Sequence, residues 1–241
     1  MQQPSASPEL IENLVVGNRI LFKEKVVDAF GHISVRHDQD PQRYLMSRHL
    51  APGLVTADDI VTFDLDSVPI VDIGQRYYGE RFIHGEIYKA RPDVLAVVHC
   101  HAPALIPFGT TKTPLLPIYH MSAFLGAGVP VFEIRATAGM TDMLIRTPEL
   151  GAALAKSVGS SPMALMRGHG ATMVGKTVQE VVYRSIYATQ NAQIQLEALR
   201  LGDVTYLSPE EAALYEAYGA GVMHRPWNLW KAEALQDTIK P

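Results

Sequence analysis

The sequence is poor in cysteine, lacks long apolar runs and carries no large excess of charge of either sign. Its 241 residues include one cysteine, which cannot form an internal disulfide and therefore fits a reducing compartment. No apolar stretch approaches the roughly 20 residues of a membrane-spanning helix, and no signal-peptide pattern opens the chain. The net charge of −4 is spread without long runs, which argues against nucleic acid or an anionic membrane as the main partner. We therefore expect a cytoplasmic protein that binds neither nucleic acid nor membrane.

The remaining composition is that of an ordinary globular protein, with 47% hydrophobic and 19% charged residues. A chain of this length can bury a substantial core. Because no internal repeat or low-complexity linker divides it, we predict a single domain over residues 1–241, with 1–7 flexible and 206–241 forming a C-terminal helix and tail. Helical patterns alternate with short strands and hairpins, which predicts an α/β or α+β layered fold.

The most informative stretch of the chain ends in a His-X-His pattern. Residues 94–98 form a continuous apolar run rich in β-branched side chains, which is typical of a buried strand. Side chains two residues apart on a strand point to the same face, so His99 and His101 can direct two imidazoles at one point. Paired histidines also occur on solvated strands, so the pattern alone is a weak indication of a metal site.

Two further segments supply candidates for the same centre. His169 lies between two glycines in a turn that joins two apolar strands, where its imidazole can project from the sheet edge. Glu80 begins a predicted helix that leads into the His-X-His strand, and His84 follows four residues later on the same helix face. The simpler alternatives are a turn histidine bonded to the backbone and a first-turn glutamate favoured by the helix dipole.

Three neutral imidazoles leave coordination positions open, which is typical of a catalytic rather than a structural metal site. Nitrogen ligands suit zinc, manganese, iron or cobalt, and we take manganese and zinc as the first candidates for this divalent ion. A carboxylate close to such an ion, here Glu80, can act as an acid or a base.

The order of these motifs resembles the class II aldolase/adducin family over roughly residues 10–205. The resemblance is carried by five features: Glu80-X-X-X-His84, Ala-Val-Val-His99-X-His101, Gly-His169-Gly, Gly31-X-X-Ser34 and the long helix predicted after Gly175. It implies a three-layer α/β/α fold around a mainly antiparallel sheet of nine strands, assembled as a homotetramer or a higher homo-oligomer. It also implies that the three histidines bind the metal, that Glu80 is the catalytic acid/base, and that His84 lies near the site. Adducin-type members lack the histidines, so this chain resembles the enzymes of the family.

Departures from the sugar-phosphate aldolases concern the substrate. Several of the small hydroxyl donors that hold phosphate in those enzymes are replaced here, and His32 and Arg48 bring larger cationic or aromatic groups. Arginine presents a planar fork that suits a carboxylate, and a surface arginine is the alternative. Residues 117–121 and the tail 225–230 resemble the branch that decarboxylates hydroxylated phthalates or pyridine dicarboxylates. The candidate substrate-binding residues are Ser34, Ser47, Arg48, His32, His120 and Arg225.

From this resemblance we predict a metal-dependent carbon–carbon lyase. The favoured reaction is non-oxidative decarboxylation of a hydroxylated aromatic or pyridine (di)carboxylate, whose hydroxyl and adjacent carboxylate chelate the ion. Glu80 and His84 are the predicted catalytic residues, and Arg48 or Arg225 would hold a second carboxylate. The alternatives are an aldolase or epimerase acting on a hydroxy-keto acid or a sugar phosphate, and a scaffold without enzymatic activity.

Overall fold

The computed structural model describes residues 5–219 and 221–236. Its strands are β1 (His32–Arg36), β2 (Arg43–Ser47), β3 (Ile60–Asp64), β4 (Ala96–Cys100), β5 (Val131–Phe132), β6 (Met163–Met166) and β7 (Gly170–Gly175). Its helices are α1 (Pro8–Lys23), α2 (Phe82–Ala90), α3 (Ile106–Thr110), α4 (Arg135–Ala138), α5 (Pro148–Val158), α6 (Val178–Leu201), α7 (Pro209–Gly219) and α8 (His224–Gln236). Short 3₁₀ turns cover Pro52–Leu54, Ala57–Asp59, Gly79–Arg81 and His120–Leu125.

The strands form one sheet in the order β3-β2-β1-β4-β7-β6-β5. Every neighbouring pair is antiparallel except β5 and β6, which are parallel. The predicted α/β fold around a mainly antiparallel sheet is therefore confirmed. The expected nine strands are not: the described residues contain seven. Residues 111–130 contain irregular backbone and a 3₁₀ turn but no strand, and the prolines at 114, 117 and 130 have no N–H to donate to a strand ladder.

Helices cover both faces of this sheet, which gives the three-layer arrangement. Along β4, Ala96 and Val98 point into the apolar cluster that includes residues of α1, α6 and α8. Val97 points to the other face, where it joins the apolar cluster of α2 and α5. His99 lies two residues after Val97 and shares its face, so the α2–α5 layer is the one beside the histidine.

Several predicted helix ends agree with the capping chemistry. Ser7 caps α1 and Thr147 caps α5, in each case accepting a backbone N–H three residues later, with proline at the first helical position. Ser7, predicted to belong to a flexible segment 1–7, therefore caps α1. Residues 1–4 of that segment lie outside the described residues. Residues 206–241, predicted as one helix and a tail, contain the two helices α7 and α8.

The second of these C-terminal helices packs on the sheet through its aromatic residues. Trp227 and Trp230 are buried in the apolar cluster of α1 and α6, so α8 belongs to the layer opposite α2. No helix among the described residues is both long and apolar enough to cross a bilayer.

The contact between α2 and α5 is close because α5 presents a glycine to α2. A Cβ atom at Gly151 would lie 2.5 Å from the carbonyl oxygen of Phe82 and 2.8 Å from Cγ of Glu86. These distances are far inside van der Waals contact, so the two helices approach as closely as they do because position 151 has no side chain.

Replacing Gly151 by alanine should therefore destabilise the protein, although alanine normally favours a helix. We expect the clash to lower the free energy of unfolding by about 1–3 kcal/mol, measured by chemical denaturation. Gly109→Ala in α3 is the matched control, because its nearest neighbours would lie 3.5 Å or more from the new Cβ. The close-packing account fails if the two variants unfold at the same denaturant concentration.

Candidate metal centre

Four side chains from separate segments of the chain meet at one end of β4. They are Glu80 from the turn before α2, His99 in β4, His101 just after β4, and His169 between β6 and β7. One ligand atom from each lies within 4.8 Å of those of the others. The Nε2 atom of His101 lies 3.0 Å from Nε2 of His99 and 3.1 Å from Nε2 of His169. Carboxylate Oε2 of Glu80 lies 3.6 Å from Nε2 of His99 and 3.5 Å from Nε2 of His169.

The Gly-His-Gly pattern has a structural reason at this place. A Cβ at Gly170 would overlap the carbonyl oxygen of Cys100, so only glycine lets β7 begin so close to the end of β4. Gly168 adopts a left-handed backbone with φ of +64°, which turns the chain between β6 and β7. Together the two glycines bring His169 beside His101.

Backbone hydrogen bonds orient two of the four ligand groups. Nδ1 of His99 lies 3.1 Å from the carbonyl oxygen of Ala171, and this acceptor requires the ring proton on Nδ1. The lone pair of His99 Nε2 therefore points into the cluster. On Glu80, Oε1 accepts the backbone N–H of Ile145 at 2.8 Å, which leaves Oε2 facing the histidines.

The local electrostatics favour a neutral imidazole at His101 and an ionised carboxylate at Glu80. Burial, together with repulsion from His99 and His169, lowers the pKa of His101 to about 4. For Glu80, burial alone would raise the pKa, but interactions with His169 and His99 outweigh it and hold the pKa well below its usual range. Lone pairs and a negative charge thus converge on one point, and a divalent cation is the partner that satisfies them all. The donor set therefore fits a metal ion.

The centre borders open space. A depression of about 480 Å³ lies beside His101, and its lining includes Phe22, Lys25, Asp28 and Pro103. This volume is in the range of small-molecule sites, and Lys25 supplies an exposed cation at its edge.

Behind the centre lies a buried polar network that contains three of the predicted residues. Nδ1 of His32 and Nε2 of His84 are 2.6 Å apart, and Nδ1 of His84 is 2.6 Å from the Ser34 hydroxyl. The Tyr88 hydroxyl lies 2.7 Å from the same serine oxygen. His84 and Ser34 are completely buried, so they support His32 rather than reach a substrate. This placement differs from the catalytic role predicted for His84 and the substrate contact predicted for Ser34.

His32 connects this network to the metal centre. It is paired with His99 across β1 and β4, and the two rings have centroids 5.1 Å apart. Its other neighbour is Tyr78, with ring centroids 4.7 Å apart. Sequence reasoning missed Tyr78, although its position two residues before Glu80 was a usable signal.

Arg48 and Ser47 both contact other side chains in this structure. Nε of Arg48 donates to Oδ1 of Asp59 at 2.8 Å, so the guanidinium predicted for a substrate carboxylate already has a carboxylate partner. Ser47 is buried and its hydroxyl lies 3.5 Å from the Tyr78 hydroxyl. The predicted binding of a substrate carboxylate by Arg48 stays a prediction, with Asp59 as the carboxylate that Arg48 pairs with in this structure.

His120 and Arg225 lie elsewhere in the chain's own fold. His120 is exposed on a 3₁₀ turn, and its ring packs edge-on against Tyr215 of α7 at 4.8 Å between centroids. Arg225 is exposed near the start of α8, the helix in the layer opposite α2. Within the described residues neither side chain contacts the histidine cluster, since His120 packs on α7 and Arg225 lies on α8.

The chain matches known proteins over most of its length. The family described as the class II aldolase and adducin N-terminal domain matches residues 12–196. Decarboxylase tropJ of Talaromyces stipitatus is 38% identical over 258 aligned positions, which cover 97% of this chain and 96% of that protein. The 3,4-dihydroxyphthalate decarboxylase of Arthrobacter keyseri is 28% identical, over 79% of each chain.

A solved structure has the same fold. An aldolase II superfamily protein from Pseudomonas syringae superposes with a TM-score of 0.79 and 23% identity, covering 96% of this chain and 95% of that one. The order of strands and the two helical layers are therefore those of a known architecture.

The buried histidine behind the centre should make the protein sensitive to acid. Burial and the nearby His99 lower the pKa of His84 to about 3, against about 6.5 in an unfolded chain. Below about pH 6.5, His84 in the unfolded chain therefore binds a proton. In the folded chain His84 stays neutral until about pH 3. The stability that His84 contributes is complete above about pH 6.5. It is lost at about 1.4 kcal/mol per pH unit as the pH falls towards about 3.

Urea unfolding between about pH 7.5 and about pH 4 measures this slope. His84→Gln should unfold more easily at neutral pH, yet lose less stability than the parent on acidification. His224→Gln, at an exposed histidine, controls for the loss of one imidazole. An unchanged slope in His84→Gln would show that this residue does not carry the acid sensitivity.

Proposed function

Because this chain belongs to the class II aldolase and adducin family, we propose that it is a metal-dependent lyase that decarboxylates a hydroxylated aromatic or pyridine carboxylate. The family match and the similarity to decarboxylases support the reaction class. The observation that carries the proposal is the cluster of one carboxylate and three imidazoles beside an open depression. A scaffold protein would have no need to converge four ligand groups at the edge of open space.

The residues that would hold the ion are His99, His101 and His169. When bound there, a divalent ion, manganese or zinc first among the candidates, would supply Lewis acidity and a template that chelates the hydroxyl and the adjacent carboxylate of the substrate. Two of these imidazoles are prepared for this role, since the proton of His99 lies on Nδ1 and the pKa of His101 is lowered to about 4.

Glu80 is the group placed to move the proton. Its carboxylate is anchored through Oε1, so Oε2 faces the cluster and can accept the hydroxyl proton of a substrate and return it to a ring carbon. In the proposed reaction a C–H bond forms at the ring carbon that bears the carboxylate. The C–C bond to the carboxylate then breaks, its electron pair restores the aromatic ring, and carbon dioxide leaves. The phenolate product takes a proton from water, so that atoms and charge balance.

The second carboxylate of a dicarboxylate substrate needs a cation. Lys25 lies at the depression beside His101 and is exposed, whereas Arg48 is paired with Asp59. Arg225 and His120 could contribute only from a neighbouring copy in a homo-oligomer, the assembly that we propose for this chain. Exposed apolar residues on the C-terminal helices, Leu214 and Leu229, support such a contact. We place the protein in the cytoplasm on the basis of its single, buried cysteine.

Carbon dioxide release from hydroxyaryl carboxylates tests the function. The protein loaded with manganese or zinc should release carbon dioxide from 3,4-dihydroxyphthalate or a related hydroxyaryl carboxylate, and removal of the metal by a chelator should abolish the release. Glu80→Gln should lower the rate about 100- to 10,000-fold, because the amide keeps the bond to Ile145 but cannot carry the proton.

Glu149→Gln, at an exposed glutamate in the first turn of α5, is the matched control and should keep the parental rate. Formation of an aldehyde from hydroxy-keto acids or sugar phosphates, without carbon dioxide from any hydroxyaryl carboxylate, would favour the aldolase alternative and refute decarboxylation.

A further inference from the structure

The buried network behind the metal centre has a direction that can be worked out from its hydrogen atoms. It runs from Tyr88 through Ser34 and His84 to His32, with distances of 2.7, 2.6 and 2.6 Å between successive partners. Each of the four side chains is at least nine-tenths buried. Because water does not reach most of this network, each polar hydrogen must find its acceptor within the protein.

The hydroxyl of Tyr88 sets the direction. Burial raises the pKa of this phenol far above neutral, so the hydroxyl keeps its proton. Among the described residues its hydrogen-bond partner is the Ser34 oxygen, and no other acceptor is within reach. Tyr88 therefore donates to Ser34. If Ser34 also accepted a proton from His84, its own hydrogen would be buried without a partner, so Ser34 donates to Nδ1 of His84.

The same reasoning fixes the ring protons of both histidines. A histidine ring carries at least one proton, so a ring with one nitrogen that accepts a hydrogen bond has its proton on the other nitrogen. With Nδ1 of His84 accepting, its proton is on Nε2 and is donated to Nδ1 of His32. The proton of His32 must then lie on Nε2.

Nε2 of His32 is the outer end of the network. It has no hydrogen-bond partner among the described residues, yet it is not one of the fully buried polar atoms without a partner. The side chain keeps 4% of its exposure and its ring contacts His99, a residue of the metal centre. An N–H at this position can donate a hydrogen bond to a bound molecule. A lone pair at the same position would instead add a fourth imidazole ligand to the centre.

We propose that the Tyr88–Ser34–His84 relay holds His32 as a hydrogen-bond donor whose Nε2–H binds a carboxylate oxygen of the substrate beside the metal centre. This inference rests on the proposed function for the identity of the substrate, but the placement of the proton does not. Under it His32 contacts the substrate, whereas Tyr88, Ser34 and His84 are positioning residues that act through the tautomer of His32. The N–H favours substrates that present an anionic oxygen at this point.

Nitrogen NMR of the histidine rings tests the tautomer without any substrate. In metal-free protein labelled with ¹⁵N-histidine, the His32 signals, identified by their loss in His32→Gln, should show a protonated Nε2 and a bare Nδ1. Tyr88→Phe removes the proton that sets the direction, so Ser34 can then accept from His84 and the second tautomer of His32 should appear.

Tyr44→Phe is the matched control, because it removes another buried tyrosine hydroxyl near His84 that is bonded to Ser67 instead. It should leave the His32 signals unchanged. A bare Nε2 in the parent protein, or identical His32 signals in Tyr88→Phe and Tyr44→Phe, would overturn the relay.

Kinetics with 3,4-dihydroxyphthalate test the donor role. His32→Leu should raise KM about 10- to 100-fold through loss of a hydrogen bond to a charged group, and His32→Gln, which keeps an N–H donor, should recover part of the loss. Equal KM values for the parent and His32→Leu would refute the substrate contact. If the parent protein releases no carbon dioxide, the proposed function fails, while the NMR result still decides the tautomer.

Discussion

The structure depends on the convergence of imidazole lone pairs and one carboxylate at the end of β4. Glu80 and His169 come from segments that are distant from His99 in sequence, yet Oε2 of Glu80 lies 3.6 Å from Nε2 of His99, and Nε2 of His169 lies 3.1 Å from Nε2 of His101. The three imidazoles repel one another unless a cation lies between them, so the fold holds them together against their own electrostatics. The sheet register, the glycine at position 170 and the close packing of α2 on α5 hold the ligand groups in place despite this unfavourable electrostatic energy.

The two sides of the metal centre carry groups with different roles, and the same sheet positions both. On one side, the turn before α2 and the segment before α5 meet, since Ile145 binds the carboxylate of Glu80. On the other side, the pairing of β1 with β4 places His32 against His99, and the helix α2 supplies His84 behind it. The α2–α5 layer therefore orients both the acid/base and the histidine network, which is why the metal centre lies on this face of the sheet.

Much of this centre could be predicted from the sequence, because the relevant signals are local. The two-residue period of a strand aligned His99 with His101, and the paired glycines around residue 169 marked a turn. Other roles depend on contacts between residues that are separated in sequence, and no local pattern in the sequence indicates them. Arg48 pairs with Asp59, and Glu80 is held by the backbone of residue 145. The resemblance to family members brought His120 and Arg225 into the predicted site, but packing of α7 and α8 places them outside it within one chain.

X-ray absorption at the zinc edge of the zinc-loaded protein tests the central claim most directly. The account predicts one ion per chain with imidazole nitrogens at about 2.0–2.1 Å and no sulfur ligand, and a reduced nitrogen shell in His101→Gln. His37→Gln, at another buried histidine, should leave the spectrum unchanged. A sulfur ligand, or the same nitrogen shell in His101→Gln as in the parent, would contradict it.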